Sequence, residues 1–182
     1  MTPVFVDPTA IVEDGVEIGE GSRIWAHSHV RAGVRIGRDC VVGDAVFIDI
    51  EVVMGDGCKI QNAAQIYRGV QLGQGVFVGP AATFTNDLYP RAVRADLTPK
   101  SSDDWTVSST NVGDGASIGA NATLLSGITV GSWAMIAAGA VVTRDVADHS
   151  LVAGSPARHV GWVCCCGRRT GQPPPKGTSC VH

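Results

Sequence analysis

The sequence predicts a solenoid of short parallel strands, a parallel β-helix. Three observations lead there: a six-residue period of large apolar residues, a second period of small residues, and a composition rich in glycine with only 5% aromatic residues. The large residues are Val6, Val12, Ile18, Ile24, Val30, Ile36, Val42, Ile48, Met54, Ile60, Ile66, Leu72, Val78 and Phe84. A period of six matches neither an α-helix nor a simply alternating strand. It matches a triangular coil in which every six residues supply one strand and one corner.

Small or β-branched residues stand four places after the large ones and keep the same register. They are Ala10, Val16, Ser22, Ser28, Val34, Cys40, Val46, Val52, Cys58, Ala64, Val70, Val76 and Ala82. We expect each large residue to point into the prism and each small one to let the chain turn. Gly or Asp often follows the large residue at the corner, as in Ile18-Gly19. Successive coils should then pair as parallel strands about 4.8 Å apart.

The period fails after Phe84 and resumes at Val112, 28 residues later, which is not a multiple of six. It continues through Val112, Ile118, Leu124, Val130, Ile136 and Val142, with Ala116, Ala122, Ile128, Ala134, Ala140 and Val146 at the small positions. The intervening segment, about residues 85–110, must therefore leave the prism as a loop. Loops on a regular scaffold often carry binding groups; the alternative is a solvated insertion without a role.

Composition excludes some functions. A formal charge of −3 and a pI near 5.9 give no basic surface for a nucleic-acid backbone, so nucleic acid is not an expected partner. No basic leader and no apolar run of bilayer length is seen, so we expect a soluble, cytoplasmic protein without a membrane partner. The cysteines do not form the pattern of a secreted disulfide framework, since Cys40 and Cys58 fall at core positions.

Two segments are expected along the chain. Residues 1–163 should form the β-helix domain, with the loop protruding from it. Residues 164–182 should form a flexible, irregular tail rich in Cys, Pro and Gly.

Several motifs resemble those of known enzymes. The segment Gly139 to Arg158 resembles the hexapeptide-repeat acyltransferases, whose fold is a left-handed parallel β-helix. More specific motifs are IWAHSHV (24–30), KIQNAAQIYRGV (59–70), FTNDLYPR (84–91), ASIGANATL (116–124) and GWVCCCG (161–167). Together these resemble the N-acetyltransferases that act on the 3-amino group of nucleotide-linked sugars. The resemblance implies acetyl-CoA as the acyl donor and a homotrimer with active sites between subunits.

Such a reaction requires a neutral amine to attack an activated thioester, so alignment and backbone donors can supply most of the acceleration. The resemblance places Asn86 at the amine. Asp87 could draw off a proton, or it could simply begin a turn. His29 could shuttle a proton, since its unperturbed pKa is near neutral, or it could make a structural hydrogen bond.

Other residues are assigned to substrate or to coenzyme A. The predicted substrate-binding residues are Arg91, Tyr89, Gln61, Asn62, Tyr67, Arg68 and His27. Arg91 suits a pyrophosphate and Tyr67 a stacked base, although a loop ion pair and surface decoration are the competing interpretations. The resemblance implies that the pantetheine arm runs near Ala120, Ala138 and Gly139, with Arg158 at a CoA phosphate. Tight corners demand the same small residues.

Two rival functions stay open. An O-acetyltransferase acting on a sugar or antibiotic hydroxyl would need a true base, and His29 would then be essential. A non-catalytic β-helix scaffold would have no need of the polar loop.

A metal site is not expected. Only His27 and His29 lie close in sequence, while His149, His159 and His182 fall at the far end. Cys164 and Cys166, with Cys180, offer a scattered set of thiols and no second close pair.

Overall fold

A computed structural model describes residues 2–174 as a left-handed parallel β-helix. The strands before the loop are β1 (Phe5–Val6), β2 (Ile11–Val12), β3 (Glu17–Ile18), β4 (Arg23–Ile24), β5 (His29–Val30), β6 (Arg35–Ile36), β7 (Val41–Val42), β8 (Phe47–Ile48), β9 (Val53–Met54), β10 (Lys59–Ile60), β11 (Gln65–Ile66), β12 (Val70–Leu72), β13 (Phe77–Val78) and β14 (Thr83–Phe84). The predicted fold class is confirmed.

The loop contains a 3-10 helix at Ser102–Asp104, and nine strands follow it. They are β15 (Thr110–Val112), β16 (Ser117–Ile118), β17 (Thr123–Leu124), β18 (Thr129–Val130), β19 (Met135–Ile136), β20 (Val141–Val142), β21 (Ser150–Ala153), β22 (Arg158–Val163) and β23 (Arg169–Thr170). No helix within residues 2–174 is long and apolar enough to cross a bilayer.

Three sheets form the faces of the prism. Sheet 1 has the order β1-β4-β7-β10-β13-β16-β19-β21-β22-β23, sheet 2 β2-β5-β8-β11-β14-β17-β20, and sheet 3 β3-β6-β9-β12-β15-β18. Each strand of the coils pairs in parallel with the strand one coil away, as Phe5 does with Arg23. We call the turn from sheet 1 to sheet 2 corner 1–2, and the turn from sheet 2 to sheet 3 corner 2–3.

The core is the column of large residues inside the prism. From Ile24 to Val142 these residues are at most 4% exposed, which confirms their predicted inward orientation. The thiols of Cys40 and Cys58 are also buried and contact carbonyl oxygens of the next coil at 3.2 and 3.1 Å. Val6 is 39% exposed, because β1 to β3 have a neighbouring coil on one side only.

Glycines at the corners let consecutive coils stack closely, and this makes a stability prediction. A Cβ at Gly79 would lie 2.6 Å from the backbone nitrogen of Ala120, whereas a Cβ at Gly75 would meet nothing within 4 Å. Gly79→Ala should lower the free energy of unfolding by about 2–3 kcal/mol through overpacking. Gly75→Ala should cost only about 1 kcal/mol, for its left-handed φ of 64°. Urea midpoints at one protein concentration measure both; equal losses would contradict the packing argument.

The loop comprises residues 85–109, since β14 ends at Phe84 and β15 begins at Thr110. It has internal order of its own. Arg94 donates from Nε and Nη2 to the carboxylate of Asp104 at 2.8 and 2.6 Å. The backbone N–H of Ser101 and the Arg94 guanidinium lower the pKa of Asp104 to about 2, so this link persists at neutral pH.

The chain ends in an antiparallel ribbon, which corrects the expected tail. β22 pairs with β21, and β23 pairs with β22 through Trp162 and Thr170. Cys164 is buried in the turn between β22 and β23. The boundary predicted at residue 164 therefore falls inside ordered structure, because antiparallel strands cover the edge of sheet 1 once the six-residue period stops. Cys180 and His182 lie outside the described residues.

Candidate active site

The loop leaves the coils at corner 2–3, directly after the buried Phe84. The backbone N–H of Thr85 still donates to the carbonyl of Leu124 at 2.9 Å and so continues the parallel ladder. The next residue, Asn86, is half-buried, and no described residue hydrogen-bonds its side-chain amide. Both the oxygen and the NH₂ group of Asn86 are therefore open to a ligand.

Asp87 borders a cleft of about 310 Å³ within the loop, which Tyr89, Lys100 and Trp105 also line. Its Oδ1 accepts a hydrogen bond from the backbone N–H of Tyr89 at 2.8 Å, the geometry of an Asx turn. Asp87 thus begins the turn, as the competing interpretation holds, and still faces the cleft. The Tyr89 side chain is 77% exposed.

Arg91 lies farther along the loop and is exposed. One of its terminal nitrogens donates to the carbonyl of Pro90 at 3.0 Å. No carboxylate among residues 2–174 pairs with this guanidinium, so the predicted loop salt bridge is not formed there. The remaining N–H donors of Arg91 face solvent.

Three rings form a ladder on the outer face of sheet 2. His29 contacts Phe47 edge-on with ring centroids 5.7 Å apart, and Phe47 contacts Tyr67 in a tilted arrangement at 5.6 Å. The three residues come from consecutive coils. We call His29, Phe47 and Tyr67 the aromatic ladder; it runs along the prism toward the coil from which the loop departs.

Glu13 holds His29 in one orientation. The Nε2 atom of His29 lies 2.7 Å from Oε1 of Glu13, whose Oε2 accepts the backbone N–H of Ala32 at 2.9 Å. The Ala32 N–H and the His29 ring lower the pKa of Glu13, so the carboxylate is ionised at neutral pH and accepts a proton donor. Nε2 therefore carries the hydrogen, and Nδ1 keeps a lone pair that faces outward. The structural hydrogen bond considered for His29 is present.

The structure does not bring His29 to Asn86 and Asp87 within one chain. Along sheet 2, His29 is in register with Phe47, then Gln65, then Thr83. Three strand spacings amount to about 14 Å. The grouping of these three residues as one catalytic set therefore fails within a single chain, because six-residue units place them on different coils.

A row of alternating charge follows corner 2–3. Arg31 donates to Oδ1 of Asp49 at 3.0 Å, and Oδ2 of Asp49 accepts the backbone N–H of Arg68 at 3.2 Å. Nε and Nη2 of Arg68 donate to one oxygen of Glu51 at 3.1 and 2.9 Å. Arg68 is thus already paired, and a ligand phosphate would have to compete with Glu51 for it.

Other predicted residues lie on corner 1–2, across sheet 2 from Tyr67 and Arg68. Asn62 accepts the backbone N–H of Asp44 at 3.1 Å, so its side chain ties two coils together. Gln61, next to it, is half-buried, and His27 is exposed with a left-handed φ of 57°. The expected single ladder of Gln61, Asn62, Tyr67 and Arg68 is therefore split between two edges of the prism.

The residues predicted for the pantetheine arm follow the same corner 1–2. The backbone nitrogens of Ala120 and Ala138 lie so close to the preceding coil that a Cβ at Gly79 or Gly119 would overlap them. Gly139, at φ 69°, has open space where a Cβ would be. A narrow ligand can therefore approach the backbone along this edge.

Arg158 lies at the far end of the prism, in a cleft of about 350 Å³ that Arg144, His159 and Trp162 also line. Its Nη1 donates to the carbonyl of Ala157 at 2.9 Å. The rings of His159 and Trp162 are 4.5 Å apart. Two guanidinium groups and an imidazole beside an indole make a cleft suited to an anionic, aromatic ligand group.

Metal-binding chemistry has little support. Within residues 2–174, no three His, Cys, Asp or Glu side chains gather as a metal site would require. The Sγ atoms of Cys164 and Cys165 lie 3.9 Å apart, and Cys166 is exposed. Cys180 lies outside this range.

Three residues at the site were not anticipated from the sequence. Glu13 and Phe47 stand 16 residues before and 18 residues after His29, and Ser126 stands 40 after Asn86. A comparison of positions 18 apart, the length of one coil, would have aligned His29 with Phe47 and Glu13 with Arg31. Ser126 needs the length of the loop as well, because the loop interrupts that spacing.

Comparisons with protein families agree with the fold. The family described as bacterial transferase hexapeptide (six repeats) matches residues 15–49 and 109–144. The hexapeptide repeat of succinyl-transferase matches residues 33–68. Both matches fall on the coils and leave the loop uncovered.

Two curated relatives match short stretches at high identity. The dTDP-3-amino-3,6-dideoxy-alpha-D-galactopyranose 3-N-acetyltransferase of Aneurinibacillus thermoaerophilus is 53% identical over 57 residues, 31% of this chain and 30% of that protein. Serine acetyltransferase 4 of Arabidopsis thaliana is 53% identical over 53 residues, 29% of this chain and 15% of that protein. The chain thus matches less than a third of the length of either relative.

Among solved structures, the acetyltransferase domain of PglB from Neisseria gonorrhoeae FA1090 is similar over 87% of this chain and 58% of that one, with 25% identity and a TM-score of 0.58. The same domain in complex with acetyl coenzyme A gives a TM-score of 0.54 over the same shares. The similarity extends across the coils.

Proposed function

The chain belongs to the hexapeptide-repeat transferases, and on that premise we propose that it is an acetyl-CoA-dependent N-acetyltransferase. Its acceptor is the amino group, at C3, of a nucleotide-linked amino sugar. The observation that carries the proposal is Asn86, an unpaired amide held at the point where the coils break open into the loop. The short match to a 3-amino-sugar N-acetyltransferase supports the choice of acceptor.

The chemistry requires little beyond alignment. The amine nitrogen attacks the thioester carbonyl carbon, a C–N bond forms and the C–S bond breaks. The proton lost from nitrogen leaves with the thiolate as the CoA thiol, and the products are an acetamido sugar and coenzyme A. Because the thioester is already activated, a fixed lone-pair direction and hydrogen bonds to the carbonyl oxygen supply most of the acceleration.

The acceptor lies along the outer face of sheet 2 in this proposal. The aromatic ladder offers flat surfaces for a nucleobase, and Arg68 and Arg91 offer donors to the diphosphate. The amine then reaches Asn86, about three coil spacings from His29. An extended nucleotide sugar is long enough for this span, which gives His29 a place at the nucleotide end.

Acetyl-CoA lies along corner 1–2, past Ala120, Ala138 and Gly139, with its phosphates toward the cleft of Arg158. Corner 1–2 and the start of the loop lie at opposite edges of sheet 2. A second copy of the chain that brings its own corner 1–2 against this face would join the two halves of the site. The predicted homotrimer with intersubunit active sites satisfies that need.

An acceptor panel tests the function. Purified protein is given acetyl-CoA and UDP- or dTDP-linked sugars carrying a 3-amino, a 4-amino or a 3-hydroxyl group, and thiol release is measured. We expect turnover with 3-amino sugars, at a kcat/KM at least about tenfold above the 4-amino isomers. Turnover confined to hydroxyl acceptors would overturn the amine assignment in favour of O-acetylation. No thiol release with any acceptor would favour the scaffold.

A further inference from the structure

The corner that carries Asn86 also carries Ser126, one coil farther along. The backbone N–H of Ser126 donates to Oγ1 of Thr85 at 3.1 Å, and that hydroxyl lies 3.3 Å from the carbonyl of Leu124, to which it donates. The register of β14 with β17 places Ser126 beside Asn86 on the adjacent coil. Ser126 is thus fixed next to the proposed acceptor site.

The Ser126 hydroxyl is buried and unpaired. The residue is 4% exposed, and its Oγ has no hydrogen-bond partner in the described part of the chain. A buried serine elsewhere in the coils, Ser22, is satisfied: its Oγ donates to Gly37 at 2.8 Å and accepts from Cys40 at 2.9 Å. Burial of a hydroxyl without a partner costs free energy, so an unpaired one beside a reaction site points to a ligand group that pairs with it.

The return leg of the loop, residues 105–109, closes over this corner. A Cβ at Gly127 would lie 3.3 Å from Cβ of Ser108, and a Cβ at Gly69 would lie 2.6 Å from Val107. Within the described residues, no hydrogen bond ties 105–109 to the coils. Packing alone holds the return leg down, so an outward shift would uncover Ser126 without breaking hydrogen bonds.

We propose that Ser126 is a second acceptor-binding residue, which pairs with Asn86 around one primary amine; this inference rests on the proposed function. A neutral amine has two N–H donors and one lone pair. If Oγ of Ser126 and Oδ1 of Asn86 each accept one N–H, the lone pair points away from both, toward the thioester carbon. A hydroxyl acceptor has one O–H and satisfies only one of them, so the pair selects amines. The return leg lifts as the acceptor enters.

The test compares Ser126→Ala with Ser22→Ala. In Ser126→Ala, kcat/KM for the 3-amino sugar should fall at least about tenfold, with KM for acetyl-CoA within about twofold of wild type. Its urea midpoint should not fall, because no intramolecular hydrogen bond is lost. Ser22→Ala should show the reverse: a lower midpoint, because it breaks two hydrogen bonds, and wild-type kcat/KM. The double variant Asn86→Ala/Ser126→Ala should lose less than the product of the two single losses.

Each outcome separates this inference from the broader one. Wild-type kinetics in Ser126→Ala would overturn the role of Ser126 and leave the transferase proposal intact. A lower midpoint together with lower activity would indicate a structural role instead, and losses that simply multiply in the double variant would show that the two residues do not share one amine. If the wild-type protein transfers acetyl to no amine at all, both proposals fall.

Discussion

Replacement of Asn86 by alanine is expected to lower kcat by at least about tenfold, because the acceptor amine loses a fixed hydrogen-bond acceptor and with it the direction of its lone pair. Alignment is most of what the proposed reaction asks of the protein, so the effect should appear in kcat rather than in the KM for acetyl-CoA. Steady-state thiol release with the preferred acceptor measures both quantities.

Asn111→Ala is the matched control, since Asn111 is an exposed asparagine on sheet 3, in the strand that follows the loop. It should retain wild-type kcat. If Asn86→Ala also retains wild-type kcat, the loop does not orient the acceptor, and the reacting group must be sought elsewhere on sheet 2.

Phe84→Ala is expected to have the largest effect on stability, a loss of about 3–5 kcal/mol in the free energy of unfolding. Phe84 is 0% exposed and is the largest of the fully buried side chains. In sheet 2 it lies in register between Ile66 and Leu124, so its removal leaves a cavity that touches two neighbouring coils.

Phe84→Leu should cost only about 1–2 kcal/mol, because most of the apolar volume remains. Urea unfolding followed by circular dichroism, at one protein concentration, gives both values. A loss below about 1 kcal/mol for Phe84→Ala would mean that the coils on either side of the loop unfold independently of each other.

Most of the fold could be predicted from the sequence, because each six-residue unit specifies its own strand and corner. The inward side chains from Ile24 onward follow from spacing alone. The handedness does not, since a right-handed coil would bury the same residues; it came from the family resemblance. The ribbon formed by β22 and β23 was missed because antiparallel pairing over a sheet edge has no six-residue signature.

The candidate site was predictable where it depends on position along the chain and not where it depends on how the coils stack. Asn86 was found because the period breaks beside it. Its separation from His29 required counting coils, and the split between Asn62 and Tyr67 required knowing which corner each one occupies. The unpaired state of Ser126 depends on how the return leg crosses corner 2–3, which no local pattern encodes.

The coils also limit how such a site can change. Neighbouring strands are one spacing apart, and Phe47 and Thr83 occupy the same face two coils from each other. A longer or shorter prism therefore alters the separation between the aromatic ladder and Asn86 only in whole steps of about 4.8 Å, each one costing or saving a complete three-sided turn. Finer adjustment to an acceptor of different length cannot come from the backbone. It must come from side chains and from the loop, the parts of the chain free of the six-residue period.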